Sequence, residues 1–395
     1  MPLHETHDIL KRGVEEIIIE DEFLKSFNKK SPLRLKMGFD PSAPDIHLGH
    51  AVGLRKLRQL QELGHKVVLI VGDWTAQIGD PSGRSQTRKM LTSQEVNSNA
   101  QTYLEQFFKI VDKDRTEIRW QSEWFGDFNL TNVIELTSNF TVAQILARDD
   151  FSKRFKGNHP ISITELLYPL LQAYDSLAID SQVEFGGTDQ KFNLLLAREL
   201  QQIHKKNPQH CFIMPLLPGT DGIQKMSKSL GNYVGINESP NDIFGKIMSI
   251  PDSLISSYYY WLTDIPTQQI EEIEKDLSNQ STNPINFKKN VALEIVSNFY
   301  SSEESESAKL FFERTVQEGE IPNDIPEYKL KPNSQNNLSN ILVEAGICQS
   351  SGEAKRLISQ GAIKLENSAI SSNIKEESLK TGILKAGRRK YLRFV

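Results

Sequence analysis

Cysteine is nearly absent: the 395 residues hold two, Cys211 and Cys348, and neither has a CxxC partner. This argues against a thiolate zinc site or a disulfide frame and makes a reducing cytosol the expected compartment. Long apolar runs are missing as well. No segment approaches the ~20 consecutive apolar residues of a membrane-crossing helix. The opening stretch, MPLHETHDILKRGVEEIIIEDEFLKSF, mixes charges through a helical pattern and has no secretory apolar core. Two nucleotide signatures are also lacking. There is no GxxxxGK[ST] loop and no GxGxxG after a strand-like run, which disfavours Walker-type NTPases and dinucleotide enzymes. Internal repeats and low-complexity tracts are absent too.

What is present is an ordinary enzyme composition, 38% hydrophobic and 25% charged. A chain of this length outgrows one average core, so two or three domains are expected. The net charge of −5 conceals an asymmetry: from Lys331 onward eleven Lys/Arg face five Glu and no Asp, leaving 35 basic against 46 acidic residues before it. An acidic body with a basic tail is what a small RNA-binding appendage on an enzyme would carry.

The first 240 residues alternate short β-rich runs with helical periodicity. LRLKMGF (33–39), KVVLIVG (66–72), EIRWQ (117–121), QVEFG (182–186) and CFIMPLL (211–217) read as strands. Residues 50–64, 93–111 and 190–206 read as helices between them. Alternation of this kind implies an α/β domain with a parallel sheet covered on both faces, and ligands beyond the carboxyl ends of its strands. From about Asn237 to Asp324 amphipathic helix dominates, and a proline-bearing polar stretch over 321–337 then reads as a linker. Residues 338–395 give two short helices and several short strands.

Two motifs carry the chemistry. GFDPSAPDIHLGH (38–50) is a strand end, a proline-rich loop and a helix start, with Asp45 the expected N-cap of a helix opening at Ile46. His47 and His50 share the first turn, where free N–H groups and the macrodipole already favour an anion. GIQKMSKSLGN (222–232) is a glycine-bounded loop presenting Lys225 and Lys228. Together they read as two cationic jaws for a triphosphate, with chemistry at the α-phosphate of ATP. VEFGGTDQ (183–190) adds Gly186 and Gly187 for close backbone approach, and Asp189 to accept from ribose hydroxyls. GDPSGRSQTRKML (79–91) supplies Asp80 for an ammonium group, and Arg84 and Arg88; standing alone, GDPSG is an ordinary β-turn.

These segments, with TVAQILARDDFSKRF (141–155) and LLYPLLQAYDSL (166–177), fall in the order and spacing of a class I aminoacyl-tRNA synthetase. Over nearly the whole chain they resemble the bacterial-type tyrosyl-tRNA synthetases. The resemblance implies a Rossmann-like, doubly wound parallel-sheet catalytic domain over 1–236, with a dimer-interface insertion near 125–165. It implies an α-helical anticodon-arm domain over 237–324, a linker over 325–337 and a small α+β RNA-binding domain of the ribosomal-protein type over 338–395. The implied reaction joins L-tyrosine to ATP as tyrosyl-adenylate, releases pyrophosphate and passes tyrosine to the terminal ribose of tRNA(Tyr). A homodimer is implied, and Mg2+ accompanies the triphosphate without a protein-held cage.

Carried over position by position, the resemblance makes Asp175 the acceptor of the substrate phenol. It places the α-ammonium on Tyr168, Gln172 and Asp80, puts Gln190 near the carboxylate, and completes the tyrosine pocket with Thr75 and Lys36. Many family members have, where Lys36 stands, a tyrosine that also touches the phenol; this is the one departure from the pattern, and the second phenol contact is not carried over with it. Gly38, Asp40, Gly49, Gly186, Gly187 and Asp189 would receive ATP, and His47 and His50 would stabilise its reacting phosphate. Arg84, Arg88, Lys225, Lys228 and Ser229 would close over the pyrophosphate. Lys355, Arg356 and Lys364 would meet RNA phosphates, which position the nucleic acid without reading its sequence. Three rival readings share part of this pattern: a tryptophanyl enzyme, a small-molecule nucleotidylyltransferase using HxGH, and a non-catalytic RNA-binding relative.

Overall fold

The computed structural model describes residues 9–28, 31–41, 45–82, 91–279, 281–321, 325–331, 334–348, 350–366, 368–387 and 390–395. Its centre is a six-stranded sheet of order β1-β6-β5-β2-β3-β4. The strands are β1 (Glu16–Ile18), β2 (Arg34–Phe39), β3 (Lys66–Val71), β4 (Thr116–Trp120), β5 (Val183–Gly187) and β6 (His210–Met214). Five are parallel, and β1 runs antiparallel along the β6 edge, so the sheet is mixed. The N-terminal segment expected to be helical thus contains a strand, at an isoleucine run whose β-branched side chains suit a pleated surface. A helix, α1 (Glu20–Phe27), follows directly.

Residues Val67–Val71 and all of β6 are buried, as parallel strands covered on both faces must be. The chain moves outward from β2 to β3 and β4, then returns to lay down β5 and β6 on the other side. Right-handed crossovers in opposite directions place α2 (Leu48–Glu62) and α8 (Lys191–Ile203) on opposite faces. Between them come α3 (Ser93–Phe107), α4 (Leu130–Ser138), α5 (Val142–Leu146), α6 (Asp149–Lys156) and α7 (Ile163–Ala178). The strand order reverses between β2 and β5, and the motifs follow the carboxyl ends of these strands and their neighbours, as the sequence pattern anticipates.

The rest of the chain is partitioned differently from the expected 237–324 helical domain. One compact unit is Met1–Glu238 with Ser249–Phe299; the other is Ser239–Met248 with Tyr300–Val395. Helices α10 (Ile255–Leu262), α11 (Thr267–Ser278) and α12 (Pro284–Ser297) fall in the first unit. The reason is local: the Arg12 guanidinium donates to the carbonyls of Tyr259, Tyr260, Thr263 and Ile265, filling the open C-terminus of α10. Tyr258 Oη also donates to the carbonyl of Pro218 at 2.9 Å.

In the second unit α9 (Pro240–Ile247) packs on α13 (Ser302–Phe312), with Phe244 and Phe312 rings 5.6 Å apart. The supposed linker carries a strand, β7 (Glu327–Tyr328). It joins a five-stranded sheet, β7-β11-β10-β8-β9, with β8 (Ile363–Leu365), β9 (Ser368–Ala369), β10 (Gly382–Ala386) and β11 (Lys390–Phe394). Helices α14 (Leu338–Glu344) and α15 (Ser351–Ser359) share its core of Leu338, Ile341, Leu342, Ile358, Leu384 and Phe394. A backbone bond from Leu330 N to Val395 O and a bond from Lys331 N to the Glu376 side chain hold the stretch after β7.

Candidate active site

His47, not Asp45, caps α2. Its backbone is extended, and its Nδ1 accepts from Gly49 N at 3.2 Å while His50 Nδ1 accepts from His47 N at 3.2 Å. The two histidines thus form a reciprocal capping box. With Nδ1 of each neutral ring accepting, the proton must sit on Nε2, so each ring offers one donor. The ring centroids lie 3.9 Å apart. A side chain at position 49 would bring its Cβ within 2.9 Å of His47 Cε1, so glycine there is what lets the ring fold over the helix start. Burial pushes the His50 imidazole down to about 4, helped by Lys228 and Lys225. Burial, then His50 and the two lysines, likewise holds His47 well below its usual range. The histidine jaw is therefore neutral at physiological pH rather than cationic.

The lysine loop is bound to this helix start by backbone pairing: Leu48 N bonds Val234 O at 2.9 Å and Ile236 N bonds Ile46 O at 3.1 Å. Asn232 shapes the loop, accepting from Ser227 N at 2.8 Å and donating to Asp221 Oδ2 at 2.9 Å and Lys225 O at 3.2 Å. Lys225 donates to Asp189 at 2.8 Å, and Lys228 pairs with Asp45, the residue expected as the cap. Ser229 Oγ lies 2.9 Å from Ser227 Oγ. Arg84 and Arg88 lie outside the described residues.

Asp40, at the end of β2, joins the nucleotide side to the amino-acid side. It accepts from Thr75 Oγ1 at 2.6 Å and Tyr168 Oη at 2.8 Å. A Tyr168 hydroxyl that donates to a carboxylate keeps its lone pairs for an ammonium group, as its expected role requires. A Cβ on Gly72 would fall 2.3 Å from Asp40 Oδ1 and 2.4 Å from Thr75 Oγ1, so this junction closes only around glycine.

Asp175 on α7 is 2% exposed. Gln121 Nε2 donates to its two oxygens at 3.1 and 2.8 Å, and Trp124 Nε1 to Oδ1 at 3.2 Å. Gln121 Oε1 in turn accepts from Thr75 N at 2.9 Å, so a hydrogen-bond path runs from Asp175 through Gln121 and Thr75 to Asp40. Burial raises the Asp175 carboxyl to about 7; Lys36 and the Gln121 and Trp124 donors pull it down, and Glu184 pushes it up. Three contacts from these two donors leave the carboxylate room for one more, from a phenol.

Lys36 does not offer that second contact. It is 0% exposed, and its three N–H groups go to Glu184 Oε1 at 2.9 Å, Ser176 Oγ at 2.6 Å and Gln172 O at 3.1 Å. Asp80 accepts from Gln190 Nε2 at 2.7 Å, and Gln190 Nε2 also reaches Ser82 Oγ at 3.0 Å. The donors of Gln190 therefore point at Asp80 and Ser82. Asn193 donates to Gln172 Oε1 at 2.8 Å and Gln190 Oε1 at 3.0 Å, and accepts from the buried Arg148 at 3.2 Å.

Gln121, Trp124 and Asn193 escape a motif reading because each is a lone polar residue among ordinary neighbours, while Arg148, Glu184 and Asn232 lie inside motif segments whose pattern gives them no role. Gly38, Gly186 and Gly187 all lie on β2 and β5 at the sheet's carboxyl edge. Lys355, Arg356 and Lys364 are exposed in the second unit, the first two on α15 and the third on β8. A cavity of about 330 Å3 lined by Arg58, Phe108 and Arg115 lies at the far end of α2 from the histidines and holds none of the expected residues.

Comparison with known proteins identifies the family. The family of tRNA synthetases class I (W and Y) matches residues 28–317, and the C-terminal domain of the tyrosine–tRNA ligase SYY-like type matches 317–393. The chain is 56% identical over 384 residues to the tyrosine–tRNA ligase of Dehalococcoides mccartyi (strain CBDB1), covering 97% of this chain and 96% of that protein. It is 50% identical to the Thermotoga maritima tyrosine–tRNA ligase, covering 98% and 96%. In fold it is similar to the tyrosyl-tRNA synthetase of Archaeoglobus fulgidus, whose crystal structure is complexed with L-tyrosine. The TM-score is 0.63 and the identity 23%, over 78% of this chain and 99% of that one. With both the catalytic body and the C-terminal module matched, the chain belongs to the bacterial tyrosine–tRNA ligases, among the class I aminoacyl-tRNA synthetases.

Proposed function

We propose that the chain activates L-tyrosine with ATP and transfers it to tRNA(Tyr), the phenol on Asp175 and the α-phosphate on the imidazoles. The observation that carries this reading is the buried Asp175 carboxylate, held by Gln121 and Trp124 and linked through Thr75 to Asp40. Phenylalanine would leave that carboxylate without its partner. Tyrosyl-tRNA synthetases are the established example of such rejection, ~10⁵-fold, a magnitude that belongs to the family and is no result of this structure.

The residues perform the reaction by placement. Tyr168, Asp80 and Gln172 orient the ammonium group so that the tyrosine carboxylate faces the α-phosphate in line with the departing pyrophosphate. His47 and His50 donate from Nε2 to the phosphate oxygens as charge develops there. Lys225 and Lys228 exchange Asp189 and Asp45 for pyrophosphate oxygens, which frees Asp189 for the ribose. No covalent enzyme intermediate is needed. Among the described residues no three His, Cys, Asp or Glu converge as a metal cage. Mg2+ is treated as part of the nucleotide substrate, and no step is routed through it.

A homodimer is supported by Leu130, Ile134, Val142, Phe155 and Ile163, 58–80% exposed and all within the segment expected to pair. The basic residues of α15 and β8 support tRNA backbone contact. Among the described residues no helix is long and apolar enough to cross a membrane, and the cytoplasm is the proposed location. The test is pyrophosphate–ATP exchange followed by charging of tRNA. Tyrosine-dependent exchange is expected; none with tyrosine, or faster exchange with tryptophan, would overturn the reading.

A further inference from the structure

Beneath the amino-acid end of the site lies a buried acid that none of the expected roles uses. Glu184 on β5 is the register partner of Lys36 on β2, and the side chains are 1% and 0% exposed. Its Oε1 stands 2.9 Å from Lys36 Nζ and 3.5 Å from Gln172 Nε2. Its Oε2 accepts from Ser176 Oγ at 2.8 Å and from Gln209. Gln172, Asp175 and Ser176 occupy one face of α7, so Glu184 and Lys36 together brace the strip of helix that carries the tyrosine contacts.

Two consequences follow from that bracing. A carboxamide can flip, and an acceptor at its nitrogen end together with a donor at its oxygen end fixes which way it faces. Glu184 takes the nitrogen of Gln172, so the oxygen is directed at Asn193 and is the end available to an ammonium group. Lys36, meanwhile, is a fully buried cation close to the Asp175 carboxylate, and Glu184 fixes its position. A buried ion pair is a weak stabiliser and can often be exchanged for apolar residues of similar volume. Its position here therefore calls for another role.

We propose that Glu184 is a positioning residue for tyrosine: acting through Gln172 and Lys36, it sets the carboxamide and the buried charge against which the substrate is aligned. The inference rests on the tyrosine-ligase reading and adds a residue to it. The charged and polar groups facing Asp175 are Lys36 from β2, Glu184 from β5, and Gln121 and Trp124 from the segment after β4.

Three variants of the full-length protein test this, each checked for folding by circular dichroism and a cooperative melt. Glu184→Gln keeps the shape and removes the charge. Because it strands Lys36, it is read beside the double variant K36M/E184M, which removes both charges. Ser176→Ala keeps both charges and deletes the hydroxyl between them. In tyrosine-dependent pyrophosphate exchange the double variant should raise the tyrosine KM about tenfold or more. Its ATP KM should stay within twofold, and the pH at which tyrosine KM changes should rise. S176A should shift the tyrosine KM about threefold in the same direction. A folded double variant whose tyrosine KM and pH profile match the parent would overturn the inference. So would equal losses toward both substrates, or, should neither charge variant fold, an unchanged tyrosine KM in S176A. Absence of exchange in the parent would instead defeat the ligase reading itself.

Discussion

The two ends of the site are built from opposite materials. At the tyrosine end, Asp175, Lys36, Glu184 and Gln121 are almost wholly buried, and their donors and acceptors are matched within the protein. At the nucleotide end, Lys225, Lys228, Asp45 and Asp189 are 23–44% exposed in their side chains and joined in two ion pairs that solvent can screen. A fixed, dry end suits discrimination, because a misfit leaves a polar group unpaired. A wet end suits exchange, because ion pairs of little net worth can be traded for phosphate oxygens at little cost. The histidines sit between these extremes, neutral yet oriented by the helix start they cap.

The largest effect should come from the dry end. Asp175→Asn is expected to cut kcat/KM for tyrosine by about a thousandfold or more, since the phenol loses its charged acceptor and an amide nitrogen faces the Trp124 donor. The same change should stabilise the fold. The Asp175 carboxyl stands at about 7 in the folded chain against an ordinary 3.8. The folded state thus holds this proton more tightly, and stability falls as pH rises from about 4 to about 7, with the deficit complete above that. Melting at pH 8 should show D175N above the parent, with the difference vanishing near pH 4. A variant less stable at pH 8 would mean the carboxylate is not strained.

His50→Ala should act on rate. The expected loss in kcat is about a hundredfold or more, the size of one donor removed from a developing oxyanion, with tyrosine KM within a few-fold. Its titration has the opposite sign to that of Asp175: an imidazole lowered to about 4 refuses protons in the folded state, so its stability contribution is lost as pH falls from 6.5 toward 4. Comparable loss in tyrosine KM would place the imidazoles with amino-acid binding and dissolve the division between the two ends.

How legible this was in the sequence follows the same division. The strand runs were readable because a buried parallel strand is apolar throughout, and KVVLIVG has no other use. His47, His50, Lys225 and Lys228 were readable because two spaced motifs repeat one chemical theme. The N-cap was misassigned to Asp45 because a histidine acceptor has the reach of an aspartate, and only the backbone pairing with Gly235 decides which residue turns first. Residues 255–297 joined the catalytic unit through Arg12, far away in the chain, which no local pattern announces. Glu184 and Asn193 stayed hidden for the same reason: a polar partner in the core has meaning only through what it meets across strands and helices.

Tyrosine recognition should also depend on pH, with a smaller effect. Ionised Asp175 accepts from the phenol and protonated Asp175 competes with it. With the carboxyl at about 7, tyrosine KM should rise about tenfold between pH 8 and pH 6. The imidazoles, already neutral throughout that range, contribute no limb of their own. In K36M/E184M the midpoint should rise, because the lowering influence of Lys36 that is removed outweighs the raising influence of Glu184. A flat profile in the parent would mean that Asp175 is ionised well below pH 6.

The smallest expected effect is the most direct probe of the wet end. Lys228→Met removes the ion pair with Asp45, whose side chain is 44% exposed, so folding stability should change by no more than about 0.5 kcal/mol. Exposed pairs give back in screening and side-chain entropy most of what they gain by attraction, so the fold should barely register the loss. The rate should register it, with adenylate formation slowed about tenfold or more because the pyrophosphate loses a cation just as charge moves toward it. A melt shifted by several degrees would reveal the pair as a structural tie. The loop would then be a fixed wall of the site, and the contrast between a rigid tyrosine pocket and an exchangeable phosphate grip would fail.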